Sequence, residues 1–102
     1  MVLVITDVKQ IPQDKKVVID FFATWCGPCK TIAPAFEQFT TKYPDIVFLK
    51  VDVDESESIA ESFNVSSLPT FLFLNKGNEW KQVLGANINQ LVINVENFLK
   101  IE

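Results

Sequence analysis

Residues 17–30 read VVIDFFATWCGPCK, and the fold is decided within this stretch. Its first half is apolar apart from Asp20, which is typical of a central strand that is covered on both faces of a sheet. From residue 27 to residue 43 the larger apolar side chains recur every three or four positions, which predicts a helix. Cys26 and Cys29 are the only cysteines of the chain, and they lie where this strand gives way to this helix.

The remaining segments predict further strands and helices in alternation. Short β-branched and aromatic runs indicate strands, while apolar residues at helical spacing indicate helices. The predicted elements are strands 2–6, 17–23, 46–53, 70–74 and 79–85 and helices 27–43, 54–63 and 88–99. Segment 7–16 is polar and contains Pro12, so any helix there is predicted to be brief. Asp54 is predicted to cap the second helix, with Glu57 as its capping-box partner.

The order β-α-β-α-β-α-β-β-α describes an α/β fold in which a mixed five-stranded sheet is flanked by helices. A chain of 102 residues fits one domain, which we predict to span residues 1–102. The final helix is predicted to be amphipathic and to bury one face against the sheet. That face consists of Ile88, Leu91, Val92, Val95 and Leu99.

The composition argues against several classes of function. The net charge is −4, and no basic run is longer than a pair of lysines, so a nucleic-acid-binding face is not expected. No apolar run approaches the ~18 residues of a membrane span. The apolar start of the chain is shorter than the ~7–15 residues of a signal peptide's apolar region. We therefore expect a cytoplasmic protein, in a compartment where free thiols are normal and structural disulfides are rare.

Two cysteines three positions apart can form a metal site, a structural disulfide, a pair of reduced core thiols or a redox pair. A zinc site needs about four ligands, and the chain has no histidine and no third cysteine. Haem attachment would need a histidine after the second cysteine, where this chain has Lys30. A disulfide across so short a loop would stabilise little. The structural disulfide and the reduced core thiols stay open on the residues alone.

The position of the pair between strand and helix predicts different roles for the two sulfurs. Cys26 falls at or just before the first helical residue, where free amides and the helix dipole stabilise a thiolate and lower its pKa. Cys29 lies inside the first turn and should be more buried and less acidic. We therefore expect an exposed Cys26 to attack a substrate disulfide, and Cys29 to release the reduced substrate from the mixed disulfide.

These features resemble the thioredoxin family, whose members carry WCGPC between a buried strand and a proline-kinked helix. The resemblance runs through the whole chain and implies the thioredoxin fold. Pro34 matches the kink, and Asp20 matches the acid in the strand before the cysteines. Lys50, Pro69 and Gly85 match the family's lysine in the next strand, its cis-proline and the glycine after its last strand.

The resemblance gives Asp20 and Lys50 functional roles beside plainer structural ones. Asp20 would accept a proton, directly or through water, as Cys29 becomes a thiolate. Burial should raise the pKa of Asp20. Lys50 should contact this carboxyl, since an unpaired cation in a buried strand is costly. The alternative is that Asp20 is a structural acid bonded to Lys50.

The resemblance also predicts where a substrate binds. A cis-proline at Pro69 would expose the backbone of Leu68, and an extended substrate segment could pair with it like an added strand. Simple packing remains the alternative for Trp25, and a strand-ending turn remains the alternative for Gly85. The apolar rim around the cysteines would consist of Trp25, Gly27, Pro28, Leu68, Gly85 and Ala86.

By this resemblance the chain would be a monomeric thiol–disulfide oxidoreductase that reduces protein disulfides. It would need no bound cofactor and no metal, because the electrons pass through Cys26 and Cys29. An NADPH-dependent thioredoxin reductase, itself a flavoprotein, would restore the dithiol. An oxidase or isomerase on the same fold and a redox-gated binding module are the rival interpretations. Ser66, Ser67 and Leu68 depart from the residues common beside the family's cis-proline, which bears on partner choice more than on chemistry.

Overall fold

Five strands and three helices make up the fold, which a computed structural model describes for residues 2–102. They are β1 (Leu3–Val4), β2 (Lys16–Phe22), α1 (Gly27–Lys42), β3 (Ile46–Asp52), α2 (Glu57–Ser62), β4 (Thr70–Asn75), β5 (Asn78–Leu84) and α3 (Ile88–Lys100). The strands form one sheet in the order β1-β3-β2-β4-β5. β3 is parallel to β1 and β2, whereas β4 is antiparallel to β2 and β5. The predicted mixed five-stranded α/β fold is thereby confirmed.

β2 lies in the middle of the sheet and is buried on both faces, as its continuous apolar run predicts. Val18 faces the side that α1 and α3 cover, where it joins a cluster that includes Phe36. Ile19 faces the other side, where Ile59 of α2 packs. Because side chains alternate along a strand, Asp20 points to the same side as Val18. The buried carboxyl therefore lies on the face of the sheet that α1 covers.

α1 begins directly after the first cysteine and buries the face that the sequence predicts. Ile32, Phe36, Phe39 and Tyr43 are all buried. Pro34 lies inside the helix, as expected from the match to a kinked helix. This packing fixes α1 along the sheet, with its first turn at the carboxyl end of β2.

The predicted start of α2 is wrong. The helix begins at Glu57 with Ser56 as its N-cap, and no side chain caps it. Asp54 therefore does not act as the cap, and Glu57 is not its capping-box partner. The carboxylate of Asp54 accepts a hydrogen bond from the indole of Trp25 instead, a contact between distant parts of the chain.

The buried face of α3 agrees with the predicted one only in part. Leu91 and Val95 are fully buried as predicted, whereas Ile88 is 38% and Leu99 is 36% exposed. The ring of Phe98 stacks on Trp80 of β5 with centroids 5.1 Å apart, and this aromatic contact sets the face that meets the sheet. The prediction missed it because helical spacing alone does not reveal where a partner ring lies.

The two edges of the sheet differ in length and regularity. β1 covers Leu3–Val4, which is shorter than the predicted strand 2–6. A 3₁₀ turn at Val8–Gln10 follows it, which confirms that any helix before β2 is brief. β5 forms the other edge, and its pairing with β4 shifts register between Phe73 and Leu74.

Candidate active site

Cys26 and Cys29 form a disulfide whose Cα atoms lie 5.3 Å apart. Cys26 is the N-cap of α1, and its Sγ accepts a hydrogen bond of 3.2 Å from the backbone N–H of Cys29. This amide is one of the first-turn donors that have no partner within the helix. After reduction the same donor and the helix dipole favour a negative charge on Cys26 Sγ over one on Cys29 Sγ.

Both cysteines are buried in the disulfide form, with 5% of Cys26 and 3% of Cys29 exposed. They pack with Ala23, and Leu68 packs against them. The prediction of an exposed Cys26 is therefore wrong for this state, because the pair lies under neighbouring residues rather than on an open turn. The two sulfurs differ instead in their hydrogen bonding at the start of α1.

Asp20 is fully buried at the centre of β2. Within residues 2–102, neither carboxyl oxygen has a hydrogen-bond partner. Burial raises the pKa of Asp20 from 3.8 to about 7, and the charge of Lys50 opposes part of this rise. A carboxyl with such a pKa can take up or release a proton near neutral pH.

Lys50 pairs with Asp20 in the register of β3 and β2, so the two side chains lie on the same face of the sheet. The predicted contact between them is nevertheless wrong at hydrogen-bonding distance, since both oxygens of Asp20 are unpartnered. The Lys50 ammonium lies 5.1 Å from the ring centre of Phe22. A half-buried lysine can extend over a neighbouring ring and keep its charge hydrated, so its attraction reaches Asp20 only through space.

A cleft of about 240 Å³ opens beside the second cysteine. Its lining includes Cys29, Phe22, Thr24, Ala33 and Lys50. Because Cys29 lies in the wall of this solvent-open cleft, the cleft brings water close to the inner cysteine of the pair.

Trp25 lies beside the disulfide and is 69% exposed as a residue. Its indole Nε1–H donates a hydrogen bond of 2.8 Å to Asp54 Oδ2 in the loop after β3. The large exposed ring is thus held in one orientation by a residue that sequence analysis assigned to a helix cap. No local pattern could have found this pair, because the two residues meet only in the folded chain.

Removing the acceptor of this bond should release the indole. In a Trp80→Phe background, where Trp25 is the remaining tryptophan, Asp54→Ala is expected to add a fast component to the nanosecond fluorescence anisotropy decay. Asp54→Asn retains an acceptor oxygen and should behave like the parent. Equal decays for parent and Asp54→Ala would show that packing, and not the hydrogen bond, orients the ring.

The peptide bond between Leu68 and Pro69 is cis, as expected from the family resemblance. The carbonyl of Pro69 accepts a hydrogen bond of 2.9 Å from the N–H of Gly85. Gly85 has a φ of 88°, a left-handed conformation that favours glycine. Leu68 packs against the cysteines, and the hydrogen bond joins its neighbour Pro69 to Gly85, while Ala86 follows as an exposed residue.

Gly27 and Pro28 are exposed in the first turn of α1, next to Trp25 and Cys26 in the chain. The proline occupies a position where a missing N–H costs no helical hydrogen bond.

The sequence pattern did not indicate Thr70 as a residue of the site. Thr70 is fully buried, and its hydroxyl donates a hydrogen bond of 2.6 Å to the carbonyl of Ser67.

Among residues 2–102, no group of three or more His, Cys, Asp or Glu side chains is arranged to hold a metal ion. Across the same residues, no helix is both long and apolar enough to span a membrane.

The thioredoxin family model matches residues 5–97. The chain belongs to the thioredoxin family. It is 49% identical to "Thioredoxin-1" of Schizosaccharomyces pombe over 84 residues, which cover 82% of each chain. A poplar thioredoxin h has a similar structure, with a TM-score of 0.91, 34% identity and coverage of 99% of this chain and 98% of that one. Oxidised mitochondrial thioredoxin 3 of Saccharomyces cerevisiae has a TM-score of 0.88, 38% identity and 94% coverage of each chain.

Family membership and the disulfide geometry together establish the activity. The chain is a thiol–disulfide oxidoreductase with protein-disulfide reductase activity. Thioredoxins use no bound cofactor, since the cysteine pair itself cycles between dithiol and disulfide. The structural-disulfide and core-thiol alternatives are therefore set aside.

Proposed function

We propose that this thioredoxin reduces substrate proteins with Cys26 as the attacking sulfur and Cys29 as the resolving sulfur. The observation that carries the proposal is the hydrogen bond from the Cys29 N–H to Cys26 Sγ at the start of α1. A donor and a helix dipole directed at one sulfur lower the pKa of that thiol relative to its neighbour. The thiolate with the lower pKa is present at neutral pH and reacts first.

The reaction then runs in two exchanges that conserve electrons. The Cys26 thiolate attacks one sulfur of the substrate disulfide, forms a mixed disulfide and expels the other substrate sulfur as a thiolate. Cys29 loses its proton and attacks Cys26 Sγ, which releases the second substrate thiolate and leaves the Cys26–Cys29 disulfide. The substrate gains two electrons, and the cysteine pair loses two.

Asp20 is proposed to accept the proton of Cys29 in the second exchange, directly or through water. A pKa of about 7 and the absence of a hydrogen-bond partner within residues 2–102 support this role. The charge of Lys50 lowers the pKa of Asp20 and so keeps it from rising further. Lys50 would then keep the pKa of the acceptor Asp20 near the pH at which the protein works.

Substrate segments are proposed to bind along the backbone of Leu68 and over the exposed ring of Trp25. Leu68 packs against the cysteines, which places a paired substrate segment next to the reacting sulfurs. A short antiparallel pairing supplies backbone hydrogen bonds that do not depend on the substrate's side chains. The proposed rim consists of Trp25, Gly27, Pro28, Leu68, Gly85 and Ala86.

The proposed setting is a reducing compartment, with residues 1–102 acting as one monomeric domain. We place the protein in the cytoplasm, where a dithiol persists and an NADPH-dependent thioredoxin reductase would restore it. The similarity to a mitochondrial thioredoxin makes mitochondria the alternative location. The disulfide-containing substrates are proteins in either case.

Selective alkylation of the reduced protein tests which sulfur attacks. With limiting iodoacetamide at pH 7, Cys26 is expected to be modified at least about tenfold faster than Cys29, because a lowered pKa raises the thiolate fraction. Peptide mass spectrometry after a second label in denaturant gives the ratio. The denatured chain is the matched control and should be labelled equally at both positions. Faster labelling of Cys29 in the folded protein would reverse the assignment.

A further inference from the structure

The short segment between Ser67 and Thr70 is fixed at two points. The buried hydroxyl of Thr70 donates to the carbonyl of Ser67 over 2.6 Å. The N–H of Gly85 donates to the carbonyl of Pro69 over 2.9 Å. Leu68 lies between these two bonds, so the position of its backbone relative to the sheet depends on both.

The hydroxyl of Thr70 does little for the sheet itself. Thr70 already pairs with Phe21 of β2 and with Leu84 of β5 through the strand backbone. Its side-chain bond reaches out of the sheet to the carbonyl of Ser67, an exposed residue in the loop before β4. The bond therefore adds order to the loop more than stability to the fold.

We propose that Thr70 is a positioning residue that holds the Leu68 backbone ready to pair with an extended substrate segment. This inference rests on the proposed docking of substrate at Leu68. A pre-positioned backbone avoids the entropy that a mobile loop would lose on binding, so the hydroxyl of Thr70 acts on affinity. Its hydroxyl bonds to the Ser67 carbonyl rather than to a reacting group, so the chemical step should not depend on it.

Thr70→Val replaces the hydroxyl with a methyl group and keeps the β-branched shape. With the peptide Gly-Val-Cys-Val-Gly dimerised through its cysteine, the KM of the variant is expected to rise roughly threefold to tenfold, the equivalent of one weakened hydrogen bond. The kcat should change by less than about twofold, as for an effect on uniform binding. Thr70→Ser retains the donor and should restore the KM. Should the valine variant not fold, Thr70→Ala removes the same hydroxyl.

Two controls separate positioning from a general structural effect. Thr40→Val also removes a hydroxyl bonded to a backbone carbonyl, that of Glu37 in the middle of α1, and should leave the KM unchanged. Hydroxyethyl disulfide has no peptide backbone, so Thr70→Val should reduce it at the rate of the parent. An equal loss of reduction rate by Thr70→Val with hydroxyethyl disulfide and with the peptide would overturn the inference. A Thr70→Ser variant with the same raised KM as Thr70→Val would also overturn it.

N-methylated substrates distinguish failure of this inference from failure of the docking proposal. Peptides methylated on the nitrogen of the valine before or after the cysteine cannot donate that hydrogen bond. The parent should bind at least one methylated peptide more weakly than the unmethylated one. Thr70→Val should show a smaller difference in binding between the methylated and unmethylated peptides. If the parent does not discriminate, docking at Leu68 is wrong and the role of Thr70 falls with it. If parent and variant discriminate equally, docking stands and the role of Thr70 alone is overturned.

Discussion

Asp20→Asn is expected to stabilise the oxidised protein at pH 8 by on the order of 4 kcal/mol. The reason is the rise in the pKa of Asp20 from 3.8 in the unfolded chain to about 7 in the fold. Each pKa unit corresponds to about 1.4 kcal/mol, and asparagine places no charge in the same buried site. The carboxyl of Asp20, rather than a packing defect, would thus be a large destabilising feature of this fold.

The pH dependence follows from which state binds more protons. Between about pH 4 and pH 7 the folded state keeps Asp20 protonated while the unfolded chain ionises it. Stability is therefore lost as pH rises through this window and stays reduced above it. The gain from Asp20→Asn should be small at pH 4, grow up to about pH 7 and then level off.

Urea unfolding of both proteins across pH 4 to 8 measures this gain. Asp45→Asn is the matched control, because Asp45 is exposed and its replacement should not reproduce the trend. A stability difference between Asp20→Asn and the parent that is equal at pH 4 and pH 8 would contradict a raised pKa.

Asp20→Asn should also resolve mixed disulfides more slowly at pH 6 to 8, by roughly a hundredfold or more if Asp20 is the proton acceptor. An unchanged rate would leave Asp20 a structural acid.

Replacing either cysteine with serine is expected to lower steady-state disulfide reduction by at least about a thousandfold, since the two sulfurs act as one unit. The two variants should differ in what accumulates. Cys29→Ser keeps the attacking sulfur and should stop as a mixed disulfide between Cys26 and substrate. Cys26→Ser lacks the sulfur that the helix start activates and should accumulate little.

Incubation with a purified disulfide-bonded protein, followed by non-reducing electrophoresis, measures the trapped species. Dithiothreitol should reduce the mixed disulfide and remove the band, which controls for non-specific association. The double variant Cys26→Ser, Cys29→Ser should give no band. Equal trapping by both single variants would contradict the division of roles between attacking and resolving sulfur.

Patterns within single elements predicted most of this fold. The apolar run of β2 and the helical spacing from Ile32 to Tyr43 each report burial by one element, and both predictions are confirmed. The strand-to-helix position of Cys26 was also predictable, because it depends on where two adjacent patterns meet. Such features are local, so the sequence carries them without knowledge of the packing.

Contacts between distant segments were predicted less well. Asp54 is of a residue type that often caps helices, yet its partner is the indole of Trp25, 29 positions away. The register of β2 and β3 does place Lys50 opposite Asp20, but the flexible lysine side chain extends over Phe22. Thr70 resembles any buried strand residue until the position of the Ser67 carbonyl is known.

The edges of the sheet bear on whether copies of this protein can pair through their strands. β1 has only two residues, and β5 combines its shifted register with the exposed charges of Glu79 and Lys81. Short, bulged and charged edges resist edge-to-edge pairing and aggregation. We therefore expect little strand pairing between copies of this protein, even at high concentration. The backbone at Leu68, where substrate binding is proposed, lies outside both edge strands.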